Sequence, residues 1–483
     1  MSSPFRSNNP LDYDKVDGIV IDESAPPPAV QGVGTGIAIL AGQFERGLPA
    51  LQDTAGTGDL YEKYGKNYAY PGLVATLNKK FSLLRVVRVV ASDAVQATKT
   101  FQNATPIDII TFKAKQGKGV YGNGITVKIE AGTSTGKKYT ITDTSATAVL
   151  AQEIYDNVAI ATVVSSAVFA ASKLVSVTVV ATTSDPANVA ATALATGSDG
   201  TVADSDYQTA IDACAVQGAG NVLFLDVYSA ARRASLKQHA VDTQDKMVII
   251  ANDLGTSASA VEADAATYRD VDGRIIYAFP WLKTPVLGVE TSVSPASFYA
   301  SVLSQTAPNV DPADVANISL LQGVTGIELM LGREDYIALM AAGVSAFEFD
   351  SDVGYKIRSG VVTQIVNSEK VLVSRRRMSD YLTNSIAKFL KLYQNGPNAR
   401  KNRNAVKAGI LDFIKRNEDA EILPKDSEVK SGKAKLVDTE SLNTDTSIAA
   451  GLFKISYKQR LFSSMRFIVL VAEIGQSVVV TEV

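Results

Sequence analysis

The chain has 483 residues, enough for several domains that each bury a core of their own. Hydrophobic residues make up 46% and charged residues 20% of it, a balance typical of folded soluble proteins. The formal net charge is −3, so no global field would gather nucleic acid or an anionic membrane. The apolar runs are far shorter than the ~20 residues of a membrane helix, and the first residues lack the features of a secretory signal. We therefore expect synthesis in the cytoplasm and no membrane insertion.

Cysteine and histidine each occur once, which restricts the chemistry that the chain can carry. Cys214 is the only thiol, so no disulfide can form within the chain, and a structural zinc site needs more Cys and His ligands than are present. A Ser-His-Asp triad would depend on His239, which we interpret instead as a surface residue of a polar helix. Cys214 lies at an apolar helix position and is interpreted as a buried small hydrophobe. The 50 acidic residues leave metal binding by carboxylates alone open, although no acidic spacing stands out. We predict no catalytic, cofactor or metal site and no enzymatic activity.

Residues 1–30 predict an extended arm. A strand-like run, GIVID (18–22), is followed by three prolines, 26–28, which hold the chain extended without backbone donors. The N–H and C=O groups of this strand need partners, and the sheet edge of another subunit would supply them. The alternative is a disordered tail that contains a chance β-branched run.

Residues 31–100 predict the first part of an α/β domain. TGIAILAGQF (35–44) indicates a buried strand, and DLYEKYG (59–65) indicates a short helix that ends at Gly65. Pro71 opens a further helix with apolar residues on one face, and LLRVVRVV (83–90) is again typical of a strand. This β-α-β order favours an α/β layer.

Residues 101–200 differ in composition. From position 161 to 197 only Lys173 and Asp185 are charged, and stretches such as LVSVTVVATT (174–183) alternate as strands do. We interpret this part as a β-rich inserted domain that faces solvent.

Residues 201–365 return to an α/β pattern. YQTAIDACAVQG and SLKQHAVDT favour helices, whereas NVLFLDVYS, KMVIIAND (246–253), RIIYAFPW (274–281) and TGIELML (325–331) favour strands. Alternation at this spacing predicts a mainly parallel sheet with crossover helices.

Residues 366–474 predict a helical and β-containing C-terminal domain, and 475–483 predict a second arm. Met378, Leu382, Ile386 and Phe389 follow helical spacing, and another helix is expected from about Arg400. LFSSMRFIVLVAEI (461–474) and QSVVVTEV (476–483) are both typical of strands. Short β-competent arms near both ends indicate a polymer whose subunits exchange strands.

Two glycine-rich segments match nucleotide-binding patterns only in part. GKGVYG (117–122) fits G-x-G-x-x-G, but the following NGITVKIE is strand-like, so no helix N-terminus would meet a pyrophosphate. GTSTGKKYT (132–140) is one residue short of a P-loop and lies between strands. We interpret both as turns and predict no cofactor.

A basic stretch lies between positions 374 and 407, where Asp380 is the only acid. Its cations are Arg375, Arg376, Arg377, Lys388, Lys391, Arg400, Lys401, Arg403 and Lys407. Three interpretations remain open: contact with an acidic protein surface, a solvated helix face, or nucleic-acid binding.

Several blocks, in order, resemble the tail sheath family of contractile bacteriophages, which is related to the sheaths of tailocins and contractile injection systems. They are GIVIDESAPPPAVQGVGTGIAILAGQFERGLP (18–49), DLYEKYG (59–65), LLRVVRVV (83–90), GKGVYGNGITVKI (117–129), GSDG (197–200) and SRRRMSDYLTNSI (374–386). Each block alone is weak, and together they span almost the whole chain. One departure is AAGVSAFEFDSDVGYKIRSGVVT (341–363), which is looser than the family's usual pattern and leaves the domain limits there open.

The resemblance implies a structural function. Subunits would stack as hexameric rings in a helical tube around a tail tube, and contraction would drive that tube through the host envelope for genome delivery. The partners implied are further copies of the chain, the tail tube protein, and baseplate and tail terminator proteins, with no direct nucleic acid. The location implied is the tail of a virion assembled in the cytoplasm of a bacterial host. The alternative is the sheath of a tailocin or another injection system, and a different class would be an α/β binding protein or enzyme.

The resemblance also implies a division of the chain and roles for particular residues. The parts are a linker arm (1–30), an α/β sheath domain in two parts (31–100 and 201–365), an inserted outer domain (101–200), an inner tube-facing domain (366–474) and a C-terminal arm (475–483). The donated strands would be Gly18, Ile19, Val20, Ile21 and Asp22, and Ser477, Val478, Val479, Val480 and Thr481. The strand that receives them would contain Phe467, Val469 and Val471. The tube-facing candidates are Arg375, Arg376, Arg377, Lys388, Lys391, Arg400, Lys401 and Arg403.

Overall fold

The computed structural model describes residues 30–49, 52–54, 59–68, 81–145, 151–160, 168–182, 184–215, 222–286, 289–364, 370–428 and 433–463. These residues form two compact units, a larger one over Val33–Asn384 and a smaller one that contains residues 385–462. Both helices and several separate sheets are present, which confirms the prediction of a mixed α/β chain.

In chain order, the strands are β1 (Ile37–Gly42), β2 (Gln52–Thr54), β3 (Leu83–Arg88), β4 (Thr98–Gln102), β5 (Asp108–Ala114), β6 (Ile125–Ala131), β7 (Lys137–Asp143), β8 (Gln152–Val158), β9 (Val175–Val179), β10 (Val189–Ala193), β11 (Val222–Leu225), β12 (Met247–Ala251), β13 (Ile275–Phe279), β14 (Leu282–Val286), β15 (Val289–Val293), β16 (Gly326–Ile327), β17 (Val344–Asp350), β18 (Gly354–Ile357), β19 (Lys435–Asp438) and β20 (Ser456–Gln459). The helices are α1 (Asp59–Tyr64), α2 (Asp204–Ala213), α3 (Ala230–Thr243), α4 (Ala258–Thr267), α5 (Pro295–Gln305), α6 (Arg333–Ala341), α7 (Val373–Leu390), α8 (Arg400–Asp419) and α9 (Asp445–Ala449).

An eight-stranded sheet runs through the larger unit in the order β18-β17-β13-β12-β11-β1-β3-β2. All neighbours from β17 to β3 are parallel, and only the two edge strands, β18 and β2, are antiparallel to the strands beside them. The strand order reverses at β1, because β3 lies on one side of it and β11 on the other. The predicted parallel sheet is therefore confirmed, and β1 and β11 flank its topological switch point.

The burial of these strands follows from their composition. Every residue of β11, β12 and β13 is buried, as expected for runs such as VLFL and MVIIA that are covered on both faces. Helix α5 contacts β11 and β12, and its residues from Pro295 to Ser304 are all buried. Serines at 297, 301 and 304 keep this helix narrow, and their hydroxyls donate to carbonyls of residues 294, 298 and 301 in the chain just before them.

The β-rich part has its own sheets and its own core. Strands β10-β6-β7-β8 form one antiparallel sheet and β4-β5-β9 form another. Burial alternates along β6 and β7, so each strand has one buried face, and the core contains a group of aromatic rings: Phe112, Tyr139 and Phe169. The predicted β character of residues 101–200 is confirmed, and we call this part the insertion.

The smaller unit contains the end of α7, helices α8 and α9, and a two-stranded antiparallel sheet of β19 and β20. Helices α7 and α8 were both expected, and Met378, Leu382, Ile386 and Phe389 are buried as their spacing predicts. Gly409 in α8 lies against the ring of Phe389, where a Cβ would come within 2.7 Å of Cζ. A side chain at position 409 would therefore separate the two helices.

Some expectations differ from the structure or lie outside the described residues. TGIELML (325–331) forms only the two-residue strand β16, because Leu329 and Leu331 pack on the core without entering a ladder. The helix expected after Pro71 lies outside the described ranges, and so does the strand expected over 461–474 apart from residues 461–463, which form no strand. No helix within those ranges combines the length and apolar character that a bilayer span requires.

Candidate assembly surfaces and insertion root

The predicted arms lie outside the described residues. This applies to residues 18–22, to residues 477–481 and to the receiving positions Phe467, Val469 and Val471. Their roles therefore stay predictions.

The smaller unit presents a short sheet that could receive a strand. Lys435 pairs with Gln459 and Asp438 with Ser456, and no third strand joins this pair within the described residues. A lone two-stranded sheet is marginally stable, and a further strand would stabilise it. Its geometry is suited to strand addition.

Four of the eight tube-facing candidates are exposed. Lys388 lies near the end of α7, Lys391 just after it, and Arg400 and Lys401 begin α8. All four belong to the smaller unit. Their side chains are available to a partner of opposite charge.

Arg403 and Arg377 are instead buried and bonded within the chain. Arg403 donates from Nη1 to the carbonyl of Asn398 at 2.9 Å, and its Nε lies 3.4 Å from Oε1 of Glu440. Arg377 is 6% exposed and donates to the carbonyls of Leu303 and Thr306 at 2.6 and 3.0 Å. Burial lowers the pKa of the Arg377 guanidinium to about 10. In this structure the guanidinium of Arg377 satisfies carbonyls at the end of α5, as a cation at a helix C-terminus should.

Arg375 and Arg376 lie at the start of α7 and are half-buried. Arg376 forms an ion pair with Asp380, one turn further along α7. The same carboxylate accepts two hydrogen bonds from Arg274, at 2.8 and 3.0 Å, in a bidentate arrangement. These groups fix the first turns of α7 within the larger unit, so the basic stretch does not form one continuous surface.

The glycine-rich turn of residues 117–122 is folded as a connection between strands. Gly117 and Gly119 have φ of 96° and 134°, values that favour glycine, and the strand β6 follows the turn. The amide of Val120 donates to Oδ1 of Asp199 at 3.0 Å, and that of Gly119 donates to the carbonyl of Val95. A carboxylate of the chain itself therefore lies where a phosphate-binding turn would hold its ligand.

The second glycine-rich segment is a hairpin tip between β6 and β7. Its amide groups are satisfied by the chain: Thr133 donates to Asp156, and Ser134 and Thr135 both donate to Asn157. A P-loop needs such amides free for phosphate oxygens. This tip is therefore a closed turn, as its sequence indicated.

Cys214 and His239 are both buried. Cys214 is inaccessible, as predicted, and burial raises the pKa of its thiol to about 12. The prediction of a surface histidine is wrong, since His239 is 6% exposed on the inner side of α3. Gln238 and Asp242, close to it in the sequence, are exposed, and the polar composition of this stretch concealed its position. No group of three His, Cys, Asp or Glu residues that could hold a metal is found among the described residues.

A buried carboxylate at the switch point was not foreseen from the sequence. Asp226 follows β11 and accepts hydrogen bonds from the amide of Gln43, from Asn67 and from the hydroxyl of Tyr207. Burial raises the pKa of this carboxyl, and those donors oppose the rise. Open α/β sheets often bind a ligand at the switch point. In this chain the side chains of Asp226, Asn67 and Tyr207 occupy that position. The one indication of it in the sequence is an acidic residue directly after a buried strand.

The insertion root consists of residues 95–98 and 195–200, where the chain enters and leaves the insertion, and of the turn of residues 117–120, which lies beside them. Val95 pairs with Ser198, and Thr98 pairs with Ala195. Asn123 exchanges two hydrogen bonds with the backbone of Gly197, at 2.9 and 3.0 Å. The segments GNG (122–124) and GSDG (197–200) are far apart in sequence, and these bonds bring them together at the insertion root.

Arg88 joins the root to the sheet. It is 4% exposed at the end of β3 and donates to the carbonyls of Phe44, Glu45, Gly47 and Lys118 at 2.7 to 3.2 Å. Burial lowers the pKa of its guanidinium, and Tyr68 and Asp199 oppose that shift. A single cation thus holds the loop after β1 against the glycine-rich turn.

No family model and no curated protein matches the chain. Among solved structures, the sheath tail protein from Desulfitobacterium hafniense is similar at 17% identity and a TM-score of 0.61, over 92% of this chain and 100% of that one. The sheath tail protein from Listeria innocua is similar at 16% identity and a TM-score of 0.64, over 86% and 90%. The contracted sheath of an extracellular contractile injection system, PVC, gives 11% identity and a TM-score of 0.59, over 96% and 98%.

These similar proteins are named as sheath proteins and not as enzymes. Each match extends over almost the full length of this chain and of the similar protein. The similarity therefore concerns the whole architecture and not only one common α/β domain. The chain has the fold of the sheath proteins of tails and contractile injection systems, as the sequence resemblance predicted.

Proposed function

We propose that this chain is the structural subunit of a contractile tail sheath. The observation that carries the proposal is the likeness to sheath proteins over nearly all of this chain and of theirs. Copies of the chain would stack as hexameric rings around a tail tube and shorten on a signal from the baseplate. The extended lattice stores the free energy of contraction during assembly, so the subunit needs no catalytic site.

The arms link the subunits in this proposal. Residues 18–22 and 477–481 of neighbouring copies add strands to the C-terminal domain, where Phe467, Val469 and Val471 were assigned to the receiving strand. The two-stranded sheet of β19 and β20 supports strand addition to the C-terminal domain, because a lone pair of strands is marginally stable and gains from a further strand. Linked arms keep neighbours connected while the bodies repack.

The tube contact is assigned to the exposed cations Lys388, Lys391, Arg400 and Lys401. The arginines that the structure buries, Arg377 and Arg403, hold the fold instead. Further partners are the baseplate and the tail terminator, and the location is the tail of a particle assembled in a bacterial cytoplasm. The same subunit geometry serves a phage tail, a tailocin or another injection device.

Negative-stain microscopy of the concentrated full-length chain tests the sheath proposal. Long hollow cylinders of sixfold symmetry, formed without any tube protein, are expected. Small uniform particles alone, even after tube protein is added, would contradict it and favour an α/β binding protein or enzyme.

Removal of the arms tests the linkage. Deletion of residues 1–25 or 476–483 should abolish cylinders, while circular dichroism and the thermal midpoint stay close to those of the full chain. Val20→Pro and Val479→Pro remove one ladder donor each and should have the same effect, whereas Ser2→Pro, outside the strand-like run, should not. Intact cylinders from both deletions would refute strand exchange by these arms.

A further inference from the structure

Asp199 lies in the insertion root, between Ser198 and Gly200. The turn of residues 117–120 brings its backbone close to this side chain. A Cβ at Gly119 would lie 2.5 Å from Oδ1 of Asp199, so only glycine lets the backbone approach the carboxylate so closely. The amide of Val120 then donates to the same oxygen at 3.0 Å.

Polar and cationic groups lie around Asp199. Tyr68 lies near enough to Asp199 for the carboxylate to act on its hydroxyl, and the buried guanidinium of Arg88 places Nη2 3.0 Å from the position of a Cβ on Gly119. Burial, and after it Asp199, raises the pKa of the Tyr68 hydroxyl, which therefore stays protonated and able to donate. A backbone amide, a hydroxyl and a nearby cation together form a small anion site.

The remaining links in the root do not replace this carboxylate. Asn123 joins the root through Gly197, and Asp93 accepts from the amide of Thr201 at 3.0 Å, but neither side chain bonds to the turn of residues 117–120. Asp199 is thus the side chain that connects this turn to the segment by which the chain leaves the insertion.

We propose that Asp199 is an internal anion that occupies a site built by the glycine-rich turn, Tyr68 and Arg88, and that it thereby locks the insertion to the sheet. The site takes a carboxylate, and a small free carboxylate can enter it when the side chain is removed. In an assembled particle the locked insertion would move as one body with the eight-stranded sheet. The lock is a property of the single chain and does not depend on the sheath function.

Hydrogen exchange on the full chain, read by mass spectrometry, tests the proposal at the site itself. In Asp199→Ala the peptide that covers residues 116–124 should exchange about tenfold faster, because a charge-assisted hydrogen bond is lost. Sodium formate should restore slow exchange, and sodium chloride at the same ionic strength should not. Peptides from β12 serve as an internal reference, and Asp108→Ala, an exposed carboxylate of the insertion that bonds to Gln102, is the matched control.

Asp199→Asn keeps the proposal testable if the alanine variant does not fold. Its amide oxygen can still accept from Val120 but carries no charge, and the side chain fills the space. Exchange over 116–124 should then rise less than in the alanine variant, with no response to formate. Unchanged exchange in Asp199→Ala, or faster exchange that formate does not slow, would overturn the proposal.

Discussion

Individual residues of one chemical type have opposite roles in this chain. Arg377 and Lys388 belong to the same basic stretch and the same helix, yet the first is buried against backbone carbonyls and the second faces solvent. Charge counted along the sequence cannot separate them, because the difference depends on which side chains of α7 are buried within their own unit. The structure makes this distinction and reduces the candidates for an electrostatic contact to the exposed ones.

His239 predicts a defined pH dependence of stability. Burial, and next the charge of Lys246, lowers the pKa of its imidazole, while Asp212, Asp242 and Asp245 oppose the shift. The unfolded chain then binds a proton more readily than the folded chain, so the free energy of unfolding falls as the pH drops below the unfolded pKa of about 6.5. His239→Gln removes this dependence. Thermal midpoints between about pH 7.5 and about pH 5.5 should therefore decrease more in the natural chain than in the variant.

The amino-acid composition allows the change in stability to be assigned to one imidazole. His239 is the only histidine of the chain, so no other imidazole titrates in that window. Gln238→Ala, at an exposed position of the same helix, should keep the pH dependence of the natural chain. An identical decrease in the His239→Gln variant would show that another group is responsible.

At the scale of elements, the sequence predicted what hydrophobic periodicity controls. The apolar runs of β1, β11, β12 and β13 and the helical spacing of α7 were all recognised, since each pattern reflects which faces are buried. TGIELML was expected to form a full strand and forms only β16, because an apolar alternation does not show whether a neighbour offers a ladder. The Asp226 network and the four carbonyls around Arg88 also escaped prediction, because they join segments that are distant in sequence.

The attachment of α7 depends on Arg377. Arg377→Met keeps most of the buried aliphatic volume but leaves the carbonyls of Leu303 and Thr306 without their donor, and it should lower the free energy of unfolding by about 3 kcal/mol. Arg377→Lys should lower the free energy of unfolding by about half as much. Its ammonium group can still donate to one of these carbonyls, but it cannot span both as the planar guanidinium does. Urea unfolding followed by the fluorescence of Trp281, the only tryptophan and a buried residue of the larger unit, measures the change.

A matched substitution on the same helix provides the control. Lys388→Met, at an exposed position, should change stability by no more than about 0.5 kcal/mol. If Arg377→Met were equally mild, the hydrogen bonds to the end of α5 would not stabilise the larger unit.

At the scale of the whole molecule, a change of composition reveals where one part of the chain gives way to another, whereas a boundary inside a regular helix does not show in the sequence. The β-rich insertion was recognised from a change of composition, and its separate core explains why that change is so marked. A second compact unit begins at Ser385, within the continuous helix α7, and nothing in the sequence indicates that position, because the apolar stripe runs through it without interruption. A boundary inside a regular helix leaves no break in periodicity.

The exposed cations of the smaller unit give a prediction for the assembled particle. Charge reversal at Lys388 and Lys401 should weaken co-sedimentation with the cognate tail tube protein by about tenfold, because attraction at an exposed interface becomes repulsion. Formation of cylinders by the variant alone should continue, since the proposed linkage uses the arms. For the natural chain, tube binding should decrease as salt is raised, because exposed charges are screened beyond about 10 Å at moderate ionic strength. Lys425→Glu, at an exposed site of the same unit outside the candidate set, is the control, and tube binding by the double variant at the level of this control would exclude these cations from the contact.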